Sequence, residues 1–259
     1  MQRFQVCITM ALMVSLMISS ICYAGGVEPI PSLSNILRSS ISDKNNSPAK
    51  QEMEYSIKKF YYQIQYQDQK LQILNEVKGH FEKSISKVEE KYDEGEEDIS
   101  QSDITKLKLG LAGTLNDIFG VEADLQISRL SLFEVLKSKY EPEAELLEPN
   151  ISPVEFGFAD YQGWSGEGSD LSGNVSLMKA FLKVIEAKKK MQLARKNRKI
   201  TRALLVSEVA NYDFGIGDPA DLFQALIIYT RVLSGYYDSV YKFNLSVAGL
   251  KRDKYIWVD

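Results

Sequence analysis

Leu222–Leu250 reads LFQALIIYTRVLSGYYDSVYKFNLSVAGL. Its apolar residues Leu222, Leu226, Tyr229, Leu233, Tyr236, Val240, Phe243, Val247 and Leu250 alternate spacings of four and three without a miss. A helix of 3.6 residues per turn returns to one face at that alternation, so the run is a single long helix with a continuous coiled-coil-like seam. Three further runs extend the pattern. From Gln51 to Tyr92, Ile57, Phe60, Ile64, Leu71, Leu74, Phe81, Ile85, Val88 and Tyr92 keep one register, interrupted at Gln67 and Lys78, with no proline, over roughly 60 Å of helix. Asp103–Lys139 is helical with looser spacing (Ile104, Leu107, Leu111, Leu115, Ile118, Leu125, Leu132, Val135), and Leu177–Phe214 is helical by propensity but mixed in pattern. The fold class expected is all-α: two long antiparallel helical hairpins with little or no β.

The turns inside the two hairpins resemble each other. Tyr92-Asp-Glu-Gly95 and Tyr212-Asp-Phe-Gly215 each end a helix on a glycine able to take the left-handed cap conformation. Each return helix opens with a cap candidate, Ser100 or Asp218, and an acid three residues later, Asp103 or Asp221, as in a capping box. Pro219 suits the first helical position, where its missing N–H costs nothing. A duplicated helical hairpin explains this parallel; two unrelated turns using common cap residues is the alternative.

The 259 residues, 44% apolar and 25% charged with a net charge of −4, are ordinary for globular protein and give no reason to expect nucleic acid. Met1–Ala24 reads as a secretory signal peptide: Arg3, an uncharged run from Phe4 to Tyr23, then small residues at Cys22 and Ala24. A retained anchor helix is the alternative, and a lipoprotein site at Cys22 is weaker still. Both cysteines, Cys7 and Cys22, lie in this leader, so the exported chain is expected to hold no disulfide and no cysteine metal site. The organisation expected is leader 1–24, flexible arm 25–50 with a turn or two of helix, first hairpin 51–139, connector 140–176, second hairpin 177–252 and tail 253–259. The connector carries Pro142, Pro149 and Pro153 and one alternating stretch, Val154–Phe158, enough for one short strand.

Catalytic and metal chemistry find no support. The single histidine, His80, stands on a helix without ligand spacing, and no nucleophile elbow or phosphate loop occurs. No catalytic residue, cofactor or metal is expected. The acidic cluster Glu89, Glu90, Asp93, Glu94, Glu96, Glu97 and Asp98 reads as a solvated turn or a docking surface, without calcium-loop spacing. The basic run Lys183, Lys188, Lys189, Lys190, Arg195, Lys196, Arg198, Lys199 and Arg202 reads as a helix face answering acids on a neighbouring helix.

Asn211-Tyr-Asp-Phe-Gly215-Ile-Gly-Asp-Pro-Ala-Asp221-Leu-Phe-Gln-Ala225, continuing through Tyr237, Val240, Tyr241, Asn244 and Val247, is similar to the last hairpin of TolC-family outer-membrane efflux proteins. Lys91-Tyr92-Asp-Glu-Gly95 with Ser100-Gln-Ser-Asp103-Ile-Thr-Lys-Leu107 resembles their first hairpin turn, with two extra residues between Gly and Asp. The resemblance covers about 51–139 and 177–252. It implies a duplicated four-helix protomer, a homotrimer closing a twelve-helix barrel in the periplasm, tip turns that dock a periplasmic adaptor (membrane fusion) protein, and an inner-membrane pump as a further partner. By position the tip residues are Tyr92, Gly95, Asp103, Tyr212, Gly215, Asp218 and Asp221. The family also carries four β-strands per protomer for the outer-membrane barrel, which with turns need about 45–50 residues. Tyr140–Ser176 offers 37 with broken alternation. The expectation is therefore a shortened efflux or export component, in the periplasm or outer membrane of a Gram-negative-type envelope, with insertion in the membrane left open. The alternative is a periplasmic coiled-coil scaffold without transport.

Overall fold

The computed structural model describes residues 28–41, 47–95, 100–139, 141, 143–166 and 171–256. The expected leader, Met1–Ala24, lies outside them. Six helices occur among the described residues: α1 (Leu33–Ser40), α2 (Pro48–Asp93), α3 (Gln101–Leu136), α4 (Tyr161–Ser165), α5 (Val175–Asp213) and α6 (Pro219–Ile256). Four are long, with 46, 36, 39 and 38 residues in α2, α3, α5 and α6. At 1.5 Å per residue α2 spans about 69 Å. Among the described residues no strand forms, only an isolated parallel bridge between Ile30 and Leu146. The all-α architecture of two long antiparallel hairpins is therefore the observed one.

The central pair is α2 and α6; α3 packs on α2 and α5 packs on α6, so the helices lie in the order α3–α2–α6–α5, and α3 also touches α6. Both hairpin turns lie at one end, the tip. In the tip half the four helices share one core: Phe81 and Val88 of α2, Ile104 and Leu107 of α3, Leu205 and Tyr212 of α5, Leu222 and Tyr229 of α6. There Gly110 of α3 meets Phe81 and Phe223 so closely that a Cβ would stand 2.7 Å from the Phe81 ring. In the far half the core divides. One cluster joins Ile57, Tyr61 and Ile64 of α2 to Leu125 and Leu132 of α3, with Ile30 and Ile36 of the arm. The other joins Phe156 and Trp164 of the connector to Phe181 of α5 and Phe243 of α6.

Several readings change. Within the α2 seam Phe60 and Leu71 are only half-buried and Tyr92 is exposed, whereas Gln67, which interrupts the register, is buried. In α2 the residues buried against α3 and α6 spread beyond a single heptad face, Tyr61, Tyr62, Gln65 and Gln69 among them. The arm, expected to be flexible, carries α1, capped by Ser32, and buries Ile30 and Ile36. Val154–Phe158 is not a strand. Its neighbourhood is held instead by side-chain amides from two helices. Gln65 Nε2 of α2 donates to the carbonyls of Glu148 (2.6 Å) and Asn150 (3.3 Å), and Gln69 Nε2 donates to Asn150 Oδ1 (3.2 Å). On α6, Asn244 Nδ2 donates to the Ser152 carbonyl (2.8 Å) and its Oδ1 accepts from the Val154 N–H (2.9 Å). Backbone groups satisfied this way need no sheet partner.

Candidate functional site

The two tip turns share one backbone design. α2 ends at Asp93 and Glu94 caps it at φ −73°, ψ −11°; α5 ends at Asp213 and Phe214 caps it at φ −80°, ψ −3°. Gly95 and Gly215 follow at φ +82° and +76°, each donating its N–H to the tyrosine carbonyl three residues back, Tyr92 or Tyr212, at 3.1 Å. A side chain at that φ collides with the neighbouring carbonyl, which is why both positions are glycine.

The restarts differ. Ser100 and Asp103 form a reciprocal box: Ser100 Oγ accepts from the Asp103 N–H, and Asp103 Oδ2 accepts from the Ser100 N–H, both at 3.3 Å. The Ser100 hydroxyl, and Lys106 after it, hold the Asp103 carboxyl below the usual carboxylate range. In the second turn Asp218 Oδ1 accepts from the Ala220 N–H (2.7 Å), and its backbone carbonyl accepts from the Asp221 N–H (3.2 Å). Asp221 stays exposed in the first turn of α6 without closing a box. The capping-box expectation thus holds for the first turn only. Gly217 packs so tightly that a Cβ would lie 2.7 Å from the Tyr212 nitrogen.

The equivalent tyrosines also part company. Tyr92 is 43% exposed. Tyr212 is buried and donates its hydroxyl to the Ser84 carbonyl of α2 at 3.2 Å. Burial, with Asp213 adding to it, pushes its pKa up to about 12. Lys87 of α2 donates to the carbonyls of Tyr212 (2.8 Å) and Asp213 (2.9 Å), placing a cation on the negative end of α5, and lies 5.0 Å over the Tyr212 ring. Lys83 Nζ bonds Asp213 Oδ2 at 2.7 Å and holds that carboxyl below its ordinary range. The second tip is thereby fastened to the first hairpin. Lys83, Ser84 and Lys87 escaped the sequence reading because they lie off the α2 seam. Beyond the lock, Phe214 and Ile216 are 82% and 80% exposed. Glu96, Glu97 and Asp98 of the acidic cluster lie outside the described residues.

The outer edges carry a second candidate surface. On α3, Leu109, Phe119, Ile127 and Leu130 are exposed; on α5, Val175, Met178, Leu182, Leu193, Ile200 and Leu204 are exposed. At about 100° per residue each set falls on one face, opposite the buried face of its own helix. Lys189 and Lys196 stand within the α5 stripe, and Asp117, Glu122 and Asp124 flank the α3 stripe. The basic run does not answer acids on a neighbouring helix: Lys183 and Lys190 pair with Glu186 of α5 itself, Lys188 donates to the Phe156 carbonyl, and Arg198 stacks on Tyr236. Among the described residues no group of three metal-ligating side chains occurs, and no helix is long and apolar enough to cross a membrane.

No family model matches the chain, and no curated protein matches it by sequence. Among solved structures it is similar to the outer-membrane channel OprN, with a TM-score of 0.63 and 11% sequence identity, over 86% of this chain and 70% of that one. At that identity the likeness speaks for the fold alone, and the chain has the helical fold seen in the helical part of that channel.

Proposed function

We propose that the chain is a component of an envelope efflux or export system that closes edge to edge with copies of itself into a helical barrel and docks a periplasmic adaptor through its tips. The observation that carries this reading is the pair of open apolar stripes on α3 and α5, one at each outer edge. The edges are different and complementary: the α5 stripe contains lysines, and the α3 stripe is flanked by acids. Unlike edges pair head to tail, which closes rings. In a ring all copies stand at one height, so positions can be matched by counting from the tip. Phe119 of α3 then stands level with the region of Leu193 on α5, Asp117 with Lys196 and Asp124 with Lys189. Exposed Phe214 and Ile216 supply apolar contacts at the tip for the adaptor, and the pump partner follows by analogy with the neighbour's class. An envelope location and a homotrimer belong to the same reading.

The second reading, a periplasmic scaffold without transport, is favoured by one observation. The connector, where membrane strands would have to be accommodated, is committed to the helices through Gln65, Gln69 and Asn244. Fractionation followed by mass measurement separates the two. The efflux reading expects a trimer that Leu193→Asp or Ile127→Asp converts to monomer. A wild-type chain that stays monomeric at tens of micromolar overturns it.

A further inference from the structure

Behind the lock of Tyr212 on α2, a cleft of about 370 Å³ opens between α2, α5 and α6. One wall is apolar, formed by Leu205, Val206, Val209 and Ala210 of α5, and Phe214 closes the tip end beside His80 and Asp213. Three polar groups converge at the other end. The Tyr229 hydroxyl donates to Glu76 Oε2 at 2.8 Å, and Arg202 reaches the same hydroxyl. Glu76 and Arg202 are exposed, and among the described residues neither takes part in an ion pair. Asp213, at the opposite end, is already paired with Lys83.

The head end therefore presents one carboxylate and one guanidinium, separated by a hydroxyl and not paired with a third charged group among the described residues. A single-charge ligand would satisfy one and leave the other facing a like charge. A zwitterion satisfies both, its cation on Glu76 and its anion on Arg202. From Arg202 to Phe214 the wall rises about 18 Å along α5, room for an alkyl or aryl body laid against valine and leucine. A volume of this size suits a small organic ligand, and mostly apolar walls with a few convergent polar groups are the usual form of such sites.

We propose that this cleft is a binding site for a zwitterionic amphiphile, with its head between Glu76 and Arg202 and its apolar body directed toward Phe214. The site is independent of ring closure, and its occupant would bridge the two hairpins just behind the tip.

The chain has one histidine, and it lines the cleft, so its imidazole gives a single NMR resonance as reporter. Full-length protein is titrated below micelle formation with decyl dimethylglycine, decyl trimethylammonium and decanoate. The expected result is a saturable shift of the His80 resonance by the zwitterion, with the two singly charged probes at least about tenfold weaker. Glu76→Gln and Arg202→Gln should each remove most of that preference while leaving circular dichroism unchanged, and Val209→Trp should abolish the shift by filling the cleft. A shift produced by phosphatidylcholine vesicles in place of the monomeric probe assigns the site to a membrane lipid, and a shift produced by the monomeric probe but not by vesicles assigns it to a soluble amphiphile. Equal binding of all three probes, or a preference that survives both charge substitutions, overturns the proposal.

Discussion

The tip half and the far half of this molecule use the same four helices in different ways. At the tip all four share one core, and Gly110 and Gly217 let backbone and rings approach without intervening side chains. In the far half the core divides in two, α2 contributing Ile57 to one cluster and Tyr62 to the other, and amides of Gln65, Gln69 and Asn244 tie down the connector. Close glycine packing is particular to the tip and amide ties to the connector are particular to the far half, so substitutions at these features should separate them.

The largest effect expected is at the tip. Gly110→Leu forces a side chain against Phe81 and Phe223 and should cost about 3 kcal/mol in chemical denaturation. The same substitution at Gly113, which has open space, should cost nothing comparable. In the far half Asn244→Ala removes both bonds to the connector and should cost about 2 kcal/mol. Hydrogen exchange would place that loss in residues 150–156 and leave the tip protected; loss spread evenly over both halves would erase the distinction.

Acid should act on the halves with opposite signs. Asp68 of α2 is partly buried beside Arg129 of α3 at 3.9 Å, and that burial pushes its pKa up to about 6 against the attraction of Arg129, with Glu145 adding to the rise. A raised carboxyl binds its proton more tightly in the folded chain, so its contribution to stability grows as pH falls through about 6 and is complete below its unfolded value near 3.8. The gain is of order 3 kcal/mol, and Asp68→Asn should flatten the pH profile between about 7 and 4. Asp213 and Asp103 are depressed, so their contributions are present above the unfolded value and are lost as pH falls below it. Exchange protection at the tip, taken relative to the intrinsic rate at each pH, should therefore fall below about pH 4 while that around Asp68 holds. The smallest difference is between the two turns. Tyr212→Phe loses the bond to Ser84 and about 1 kcal/mol, whereas Tyr92→Phe should be neutral within measurement error by thermal unfolding.

How far the sequence could be read follows from how many faces each helix uses. The α6 heptad was legible without a miss because its apolar residues share one continuous seam. The runs that became α3 and α5 looked loose or mixed, and the structure explains why: each carries a second apolar stripe opposite the buried one, and two superimposed stripes blur any single period. The turn glycines were visible because positive φ selects for glycine almost regardless of context. The Tyr212 lock was not, since Lys83, Ser84 and Lys87 gain their role only when α5 arrives from more than a hundred residues away. The alternation in the connector allowed a strand or a loop, and it is a loop because Gln65 and Asn244 supply by side chain what a sheet would supply by backbone.

The central claim is that the α3 edge of one copy receives the α5 edge of the next. It is tested most directly by placing cysteines at Phe119→Cys and Leu193→Cys together, with Cys7→Ser and Cys22→Ser, and oxidising the assembled protein. The two positions lie on opposite outer helices of one chain, so any bond between them joins different copies. The account predicts a covalent trimer by denaturing mass analysis, with neither single cysteine advancing beyond a dimer. A product that remains monomeric after oxidation, at concentrations where the wild-type chain is fully folded, would contradict it.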